Sequence, residues 1–276
     1  MNNQSISLII PSYKNPKCLD LCLRSALENR VYPETEIFVT IDGFPELSQT
    51  VMDKYKDKVN FIVYETNTGM QNAINVAVYQ SKGNKLFIIN DDNVLPREWD
   101  KRILNLPNIE NVKSLTISQI EPEQSIFNFD CKDFGRDVDE FKYNDFMEYE
   151  YNLNINKDPI YIDTGNIFPF IIEREYFMVI NGFDTQYPGM HVVDWDFFMK
   201  LEINGIYTRM TKSIMLYHFG QMSSAKTDES EMFKHKHNES IEYFEFKWGF
   251  KPHINAFTNR HLPPNYNRIN DNNNKK

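Results

Sequence analysis

The chain has 276 residues, 41% of them hydrophobic and 25% charged, which is enough to bury a substantial core and too balanced for a disordered chain. Its formal charge is −9, from 39 acids against 30 bases. That sign repels phosphate backbones and excludes the electrostatic footprint of a nucleic-acid binder.

The predicted elements alternate along the first hundred residues. Ser5 to Ile10 is a short apolar run stopped by Pro11, as expected of a buried parallel strand. Cys18 to Asn29 carries a helical stripe of Leu19, Cys22, Leu23, Ala26 and Leu27,. Glu36 to Ile41 reads as a second strand ended by Asp42-Gly43, and residues 46 to 57 as an exposed helix. Asn60 to Tyr64 is a third strand, Met70 to Ser81 a helix, and Lys85 to Ile89 a fourth strand closed by Asn90-Asp91-Asp92-Asn93. Strands and helices in this order predict βαβ units and a mostly parallel sheet, which binds ligands at the carboxyl ends of its strands.

The second half is less regular. Residues 121 to 158 are acidic and aromatic without a clean period and read as a loop-rich or partly helical insert. Tyr161 to Phe170 and a helix near Arg174 to Val179 lead to Asn181-Gly182-Phe183-Asp184. Val192-Val193-Asp194-Trp195-Asp196 then opens another helix. Ser213 to His218 is a last strand, residues 228 to 248 an amphipathic helix, and residues 265 to 276 an Asn-rich tail expected to be disordered,.

Cys18, Cys22 and Cys131 make no disulfide framework. The first two share a helix face and read as small buried hydrophobes, in keeping with a reducing compartment,. The start lacks a basic region followed by a long apolar stretch, and no segment reaches the roughly 20 apolar residues of a membrane span. The expected location is cytoplasmic, soluble or peripheral to a membrane.

Pro11-Ser12-Tyr13, Asp42-Gly43, Thr66-Asn67 and Asp91-Asp92 should gather at one rim of the sheet. Carboxylates crowded there are costly unless a cation or a hydroxyl-rich ligand compensates them.

Six stretches in order, SLIIPSYKNPKCLDLCLRSAL, TIDGF, ETNTGMQNAINVAV, LFIINDDNVLP, NGFDTQYPGMHVVDWDFFMKLEINGI and LYHFGQMS, resemble the family 2 glycosyltransferases with the GT-A fold. The likeness covers roughly residues 5 to 220,. It implies a Rossmann-like α/β fold with a mostly parallel central sheet flanked by helices. Residues 1–220 would form the transferase domain, split near residue 100 into nucleotide-binding and acceptor-binding halves, with a helical extension over 221–264.

By that resemblance Pro11, Ser12 and Tyr13 line the nucleotide pocket, Asp42 hydrogen-bonds the base, and Asn67 and Asn72 border the nucleotide. Asn75 matches the family as well, although capping or packing explains Asn72 and Asn75 about equally. Asn90-Asp91-Asp92 stands at the Asp-x-Asp metal motif with Asn90 in place of its first acid. Asp91 would contact the ribose, and Asp92 would ligate Mn²⁺ or Mg²⁺, hard cations that choose oxygen ligands. Asp194 aligns with the catalytic base, with Val193 where many relatives carry another acid; the alternative for Asp194 is a helix cap. His218 matches a histidine that completes the metal site in some relatives. Trp195, Asp196 and His191 are expected near the sugar or acceptor, whereas His235 and His237 read as solvated surface.

The implied reaction moves a sugar, with inversion and metal dependence, from a nucleoside-diphosphate donor, UDP favoured, to a glycan, glycolipid or glycoprotein. A sugar-phosphate nucleotidyltransferase would carry a basic Gly-rich loop where this chain has Pro-Ser-Tyr-Lys-Asn-Pro. A non-catalytic binding module of the same fold is the other alternative, suggested by Asn90 and Val193.

Overall fold

The computed structural model describes residues 5–107, 112–123, 130–154, 161–162, 168–220 and 230–252. The first half follows the expected alternation: β1 Ile6–Ser12, α1 Pro16–Glu28, β2 Glu36–Asp42, α2 Pro45–Tyr55, β3 Asn60–Tyr64, α3 Met70–Gln80 and β4 Lys85–Ile88. Short elements follow: β5 Asn93–Val94, α4 Trp99–Leu104, β6 Val112–Glu121, β7 Asp130–Cys131, α5 Tyr143–Asn154, β8 Tyr161–Ile162, β9 Phe170–Glu173 and α6 Arg174–Val179. The chain continues through α7 Val193–Ile203, β10 Tyr207–His218 and α8 Ser230–Trp248. The tail expected from residue 265 lies outside the described residues.

The strands form one sheet in the order β3-β2-β1-β4-β9-β6-β10-β5, with β7 beside β6 and β8 beside β10. It is parallel across β1 to β4 and between β6 and β10, while β9 runs antiparallel between β4 and β6. Because β9 reverses the direction twice, β4, β6 and β10 all point the same way. Their carboxyl ends share one rim with those of β1, β2 and β3.

Both faces of the sheet are buried. Leu8, Ile10 and Val39 pack with Leu19, Cys22 and Leu23 of α1 on one side. Ile9, Leu86 and Ile172 pack with Ile74 of α3 and Phe197 of α7 on the other. Strands covered on both faces read as continuous apolar runs, which is why β1 and β4 are conspicuous in the sequence. Cys18 and Cys22 are buried free thiols in this core, as expected, and Cys131 is exposed.

Two regions depart from the sequence reading. Residues 112–121 carry no expected element, yet they form β6 at the centre of the second half. β10 begins at Tyr207, earlier than Ser213, and slips register against β6 between Thr211 and Leu216. The insert expected to be loop-rich or partly helical does contain a helix, α5, whose Glu150 is fully buried and takes both Arg102 Nη atoms at 2.7 and 2.8 Å. No described helix is long and apolar enough to cross a membrane.

Candidate active site

The turn after β4 is tied to its neighbours on both sides. Asn90 N–H donates to Asn93 Oδ1 at 3.0 Å, a local bond of the kind that favours Asn in turns. Just past the end of β10, Phe219 N–H donates to the Asp92 carbonyl at 3.4 Å, which sets Asp92 beside that strand end.

Asp91 faces β1. Its Oδ2 accepts Ser12 Oγ–H at 2.7 Å and its Oδ1 accepts Asn15 Nδ2–H at 3.1 Å. Burial, and then the charge of Asp92, push this carboxyl up to about 7 against those hydrogen bonds,. Asp92 faces His218: its Oδ1 lies 3.4 Å from His218 Nε2, and the other ring nitrogen, Nδ1, lies 2.6 Å from Glu121 Oε1. Burial opposes a charge on the imidazole, but the carboxylates of Asp92 and Glu121 outweigh it and lift the ring to about 10. Glu121 has no counterpart in the sequence-level site. The half-polar run Val112–Glu121 that carries it shows no continuous apolar pattern, and so gave little signal in the sequence.

Asp42 is almost fully buried, and its carboxylate is filled. Oδ1 accepts Thr68 N–H at 2.6 Å and Thr68 Oγ–H at 2.7 Å, while Oδ2 accepts Gly69 N–H at 2.9 Å and Asn67 Nδ2–H at 3.0 Å. Four donors saturate a carboxylate, so Asp42 organises the loop between β3 and α3 and presents no free acceptor to a base. Asn72 Nδ2–H reaches Thr68 Oγ at 3.0 Å and joins this rim. Asn75 is different, because it clamps the backbone N–H and C=O of Phe183 at 2.9 and 2.8 Å and is a packing residue. Pro11 does not stop β1 as expected: the strand runs through it, in register with Thr40, to Ser12 opposite Ile41. Beyond it Tyr13 meets Phe44 edge-on at 6.0 Å, and Lys14 Nζ sits 4.0 Å over the Phe44 ring.

Asp194 lies in the first turn of α7, just after Val192, whose φ of +58° is a strained value for a β-branched residue,. Burial pushes its carboxyl up to about 6. The approach to α7 is tied to α3 through Gln71, whose Nε2 donates to the carbonyls of Tyr187 at 3.2 Å and Gly189 at 2.7 Å.

Asp196 is not where an acceptor could touch it. It is 1% exposed, and its Oδ1 lies 2.7 Å from Lys247 Nζ while accepting Trp248 Nε1–H at 2.9 Å and Tyr187 O–H at 3.1 Å. This carboxylate is an internal strut between α7 and α8. Trp195 packs beside Tyr187, Val193 and Phe244 in the small core under α8. His191 stacks edge-on against His237 of α8 at 3.9 Å. Burial, with His237 adding to it, lowers His191 to about 4. His237 is therefore half-buried against the loop and not the solvated surface expected from its Lys-flanked setting, whereas His235 is exposed and pairs with Glu239 at 3.6 Å.

A model of glycosyl transferase family 2 matches residues 7–175, a span that contains Ser12, Asp42, Asp91 and Asp92. The chain belongs to glycosyl transferase family 2. Uncharacterised glycosyltransferases of Rickettsia prowazekii (strain Madrid E) and Rickettsia typhi (strain Wilmington) are each 29% identical over 107 residues, 38% of this chain. The matched stretch spans about a third of those relatives, 33% of each. Among solved structures, residues 1–349 of Staphylococcus aureus TarS superpose with a TM-score of 0.59 at 15% identity, covering 92% of this chain and 74% of that one. The complex of TarS 1–349 with UDP-GlcNAc gives 0.57 at 18% identity, covering 92% and 75%. Such a likeness is one of fold, and it makes this family 2 member a GT-A-type α/β protein.

Proposed function

We propose that this family 2 glycosyltransferase transfers a single sugar from a nucleoside-diphosphate sugar, UDP favoured, to a hydroxyl of a glycan, glycolipid or glycoprotein, with inversion and with help from Mn²⁺ or Mg²⁺. The observation that carries the reading is the line Asp92–His218–Glu121 at the rim shared by β4, β6 and β10. We read residues 1–220 as the catalytic unit and α8 as its C-terminal support.

The residues fit a divalent cation on chemical grounds. A metal-binding histidine characteristically gives its second ring nitrogen to a carboxylate, as His218 does to Glu121, which leaves Nε2 directed at the carboxylate of Asp92,. Among the described residues no group of three or more His, Cys, Asp and Glu has the arrangement of a complete metal site. Asp92 and His218 would therefore supply two ligands, leaving the remaining positions to diphosphate oxygens and water, as suits Mg²⁺ and Mn²⁺ sites. The cation would neutralise the charge that develops on the diphosphate leaving group.

The protein's own groups do the rest. Ser12 and Tyr13, beside Pro11 and Phe44, border the nucleoside, and Asp91 lies at the ribose. The Asp42-organised loop with Asn67 and Asn72 closes that side. Asp194 accepts the proton of the acceptor hydroxyl as its oxygen bonds to the anomeric carbon and the bond from that carbon to the diphosphate oxygen breaks. A carboxyl near 6 is a competent base at neutral pH and stays close enough in pKa to hold the proton,. TarS complexes with UDP and UDP-GlcNAc support the choice of UDP.

The test is a thermal-shift panel of nucleoside diphosphates and their sugars with and without Mn²⁺, followed by turnover of Asp92→Asn and Asp194→Asn with the nucleotide that binds. A Mn²⁺-dependent shift with a uridine nucleotide and loss of turnover in both variants are expected. Full turnover in both folded variants would refute the site. Binding that persists in a wild type without turnover on any acceptor would favour the non-catalytic module.

A further inference from the structure

A cavity of roughly 630 Å³ lies outside the line of Asp91, Asp92, Asp194 and His218. It runs along α3 from Asn72 to Tyr79, is closed on the far side by the turn from Ile180 to Gln186, and is floored by Lys200 and Lys247. Its size is that of a small-molecule site. Asn72 is the one residue it shares with the proposed nucleotide rim.

The charges that line it are already matched. Lys247 Nζ sits 2.6 Å from Asp184 Oδ2 and 2.7 Å from Asp196 Oδ1. Lys200 Nζ donates to the carbonyls of Ile180 and Gly182 and lies 3.9 Å from Asp196 Oδ2. Asp184 Oδ2 accepts Tyr243 O–H as well as Lys247, and its Oδ1 accepts Gln186 N–H. A phosphate would find no uncommitted cation, and a metal ion no uncommitted carboxylate.

What remains available is neutral and polar. The Asn181 Nδ2, Gln186 Nε2 and Thr185 hydroxyl groups donate to nothing among the described residues, and Asn72 Oδ1 accepts nothing there. Tyr79 is 49% exposed, with its hydroxyl turned to Asn181 Oδ1 at 3.3 Å, so its ring forms part of the wall. Amide donors, an amide acceptor, a hydroxyl and an aromatic face are the groups that recognise the hydroxyls and the apolar C–H face of a pyranose.

We infer that this cavity is a second saccharide subsite, which holds an uncharged sugar unit of the acceptor while the acceptor's terminal hydroxyl reacts at Asp194. The inference rests on the glycosyl-transfer reading above, and its binding step can be measured without turnover. Lactose, cellobiose and N,N′-diacetylchitobiose serve as neutral probes, with glucose 6-phosphate as the anionic comparison, in ligand-observed NMR titrations of the full chain.

The expected result is binding of at least one neutral disaccharide that saturating UDP and Mn²⁺ do not displace. Tyr79→Ala and Gln186→Ala, both exposed positions, should each weaken it about tenfold while leaving the UDP-induced thermal shift unchanged. The subsite is overturned by equal binding in both variants, by displacement with UDP, by tighter binding of glucose 6-phosphate, or by no binding of any neutral probe. None of these outcomes alters UDP binding or the Asp194→Asn result, so failure of the subsite is distinguishable from failure of the catalytic reading.

Discussion

Glu121 and His218 meet at 2.6 Å although 97 residues separate them, because they end two adjacent parallel strands. The carboxylate fixes the ring so that its other nitrogen faces Asp92 at 3.4 Å. Glu121→Gln keeps the size of the side chain and removes that charge. The Mn²⁺ concentration needed for half of the UDP-dependent thermal shift should rise about 10- to 100-fold. His218→Ala should raise it further. An unchanged Mn²⁺ requirement in both variants would remove the pair from the proposed metal site.

Asp194 makes a prediction with two opposite signs. Its carboxyl is raised from 3.8 to about 6 by burial, so the folded state binds the proton more tightly than the unfolded one. Stability therefore falls as pH rises from about 4 to about 6, and the ionised group is a burden at neutral pH. After discounting for its residual exposure, Asp194→Asn should stabilise the protein by about 1–2 kcal/mol at pH 7.5 and by nothing at pH 3.5. Urea titrations at the two pH values measure this.

The same group predicts the activity profile. Turnover should climb with pH through about 6 as Asp194 ionises, with a tenfold loss per unit on the acid side. A profile flat from pH 5 to 8, measured where the fold is intact, would place the base elsewhere.

Lys247→Met removes the nearest cation from the buried Asp196 carboxylate and should cost about 3 kcal/mol in chemical denaturation, since an unmatched buried charge is expensive,. Trp248 Nε1 and Tyr187 Oη still donate to Asp196, which keeps the loss below that of stripping the site altogether. A loss under about 0.5 kcal/mol would class the pair with ordinary surface ion pairs.

Glu150→Ala should be at least as damaging. It leaves Arg102, 17% exposed, without its bidentate partner and deprives Met215 N–H of an acceptor at 3.0 Å. About 3–5 kcal/mol is expected by urea denaturation.

Local chemistry alone determined a good deal. The apolar runs of β1, β2 and β4, the stripes of α1 and α3 and the polar residues that stop each strand are visible because a parallel strand buried on both faces needs an unbroken apolar run and a turn to end it. Those stops also place Ser12, Asp42 and Asp91 on one rim. The tertiary structure decided the rest. β6 is half-polar along its length, with Ser114, Thr116, Ser118 and Gln119 all buried, so no apolar run announced it, and without β6 nothing could bring Glu121 to His218. Asp194 and Asp196 stand two residues apart in one motif, yet helical geometry turns them about 200° from each other. Asp194 stays partly exposed while Asp196 is sealed beneath α8 by Lys247 and Trp248. Sequence distance cannot encode that separation, because the partners that bury Asp196 arrive from a helix some fifty residues downstream whose docking depends on the whole assembled sheet.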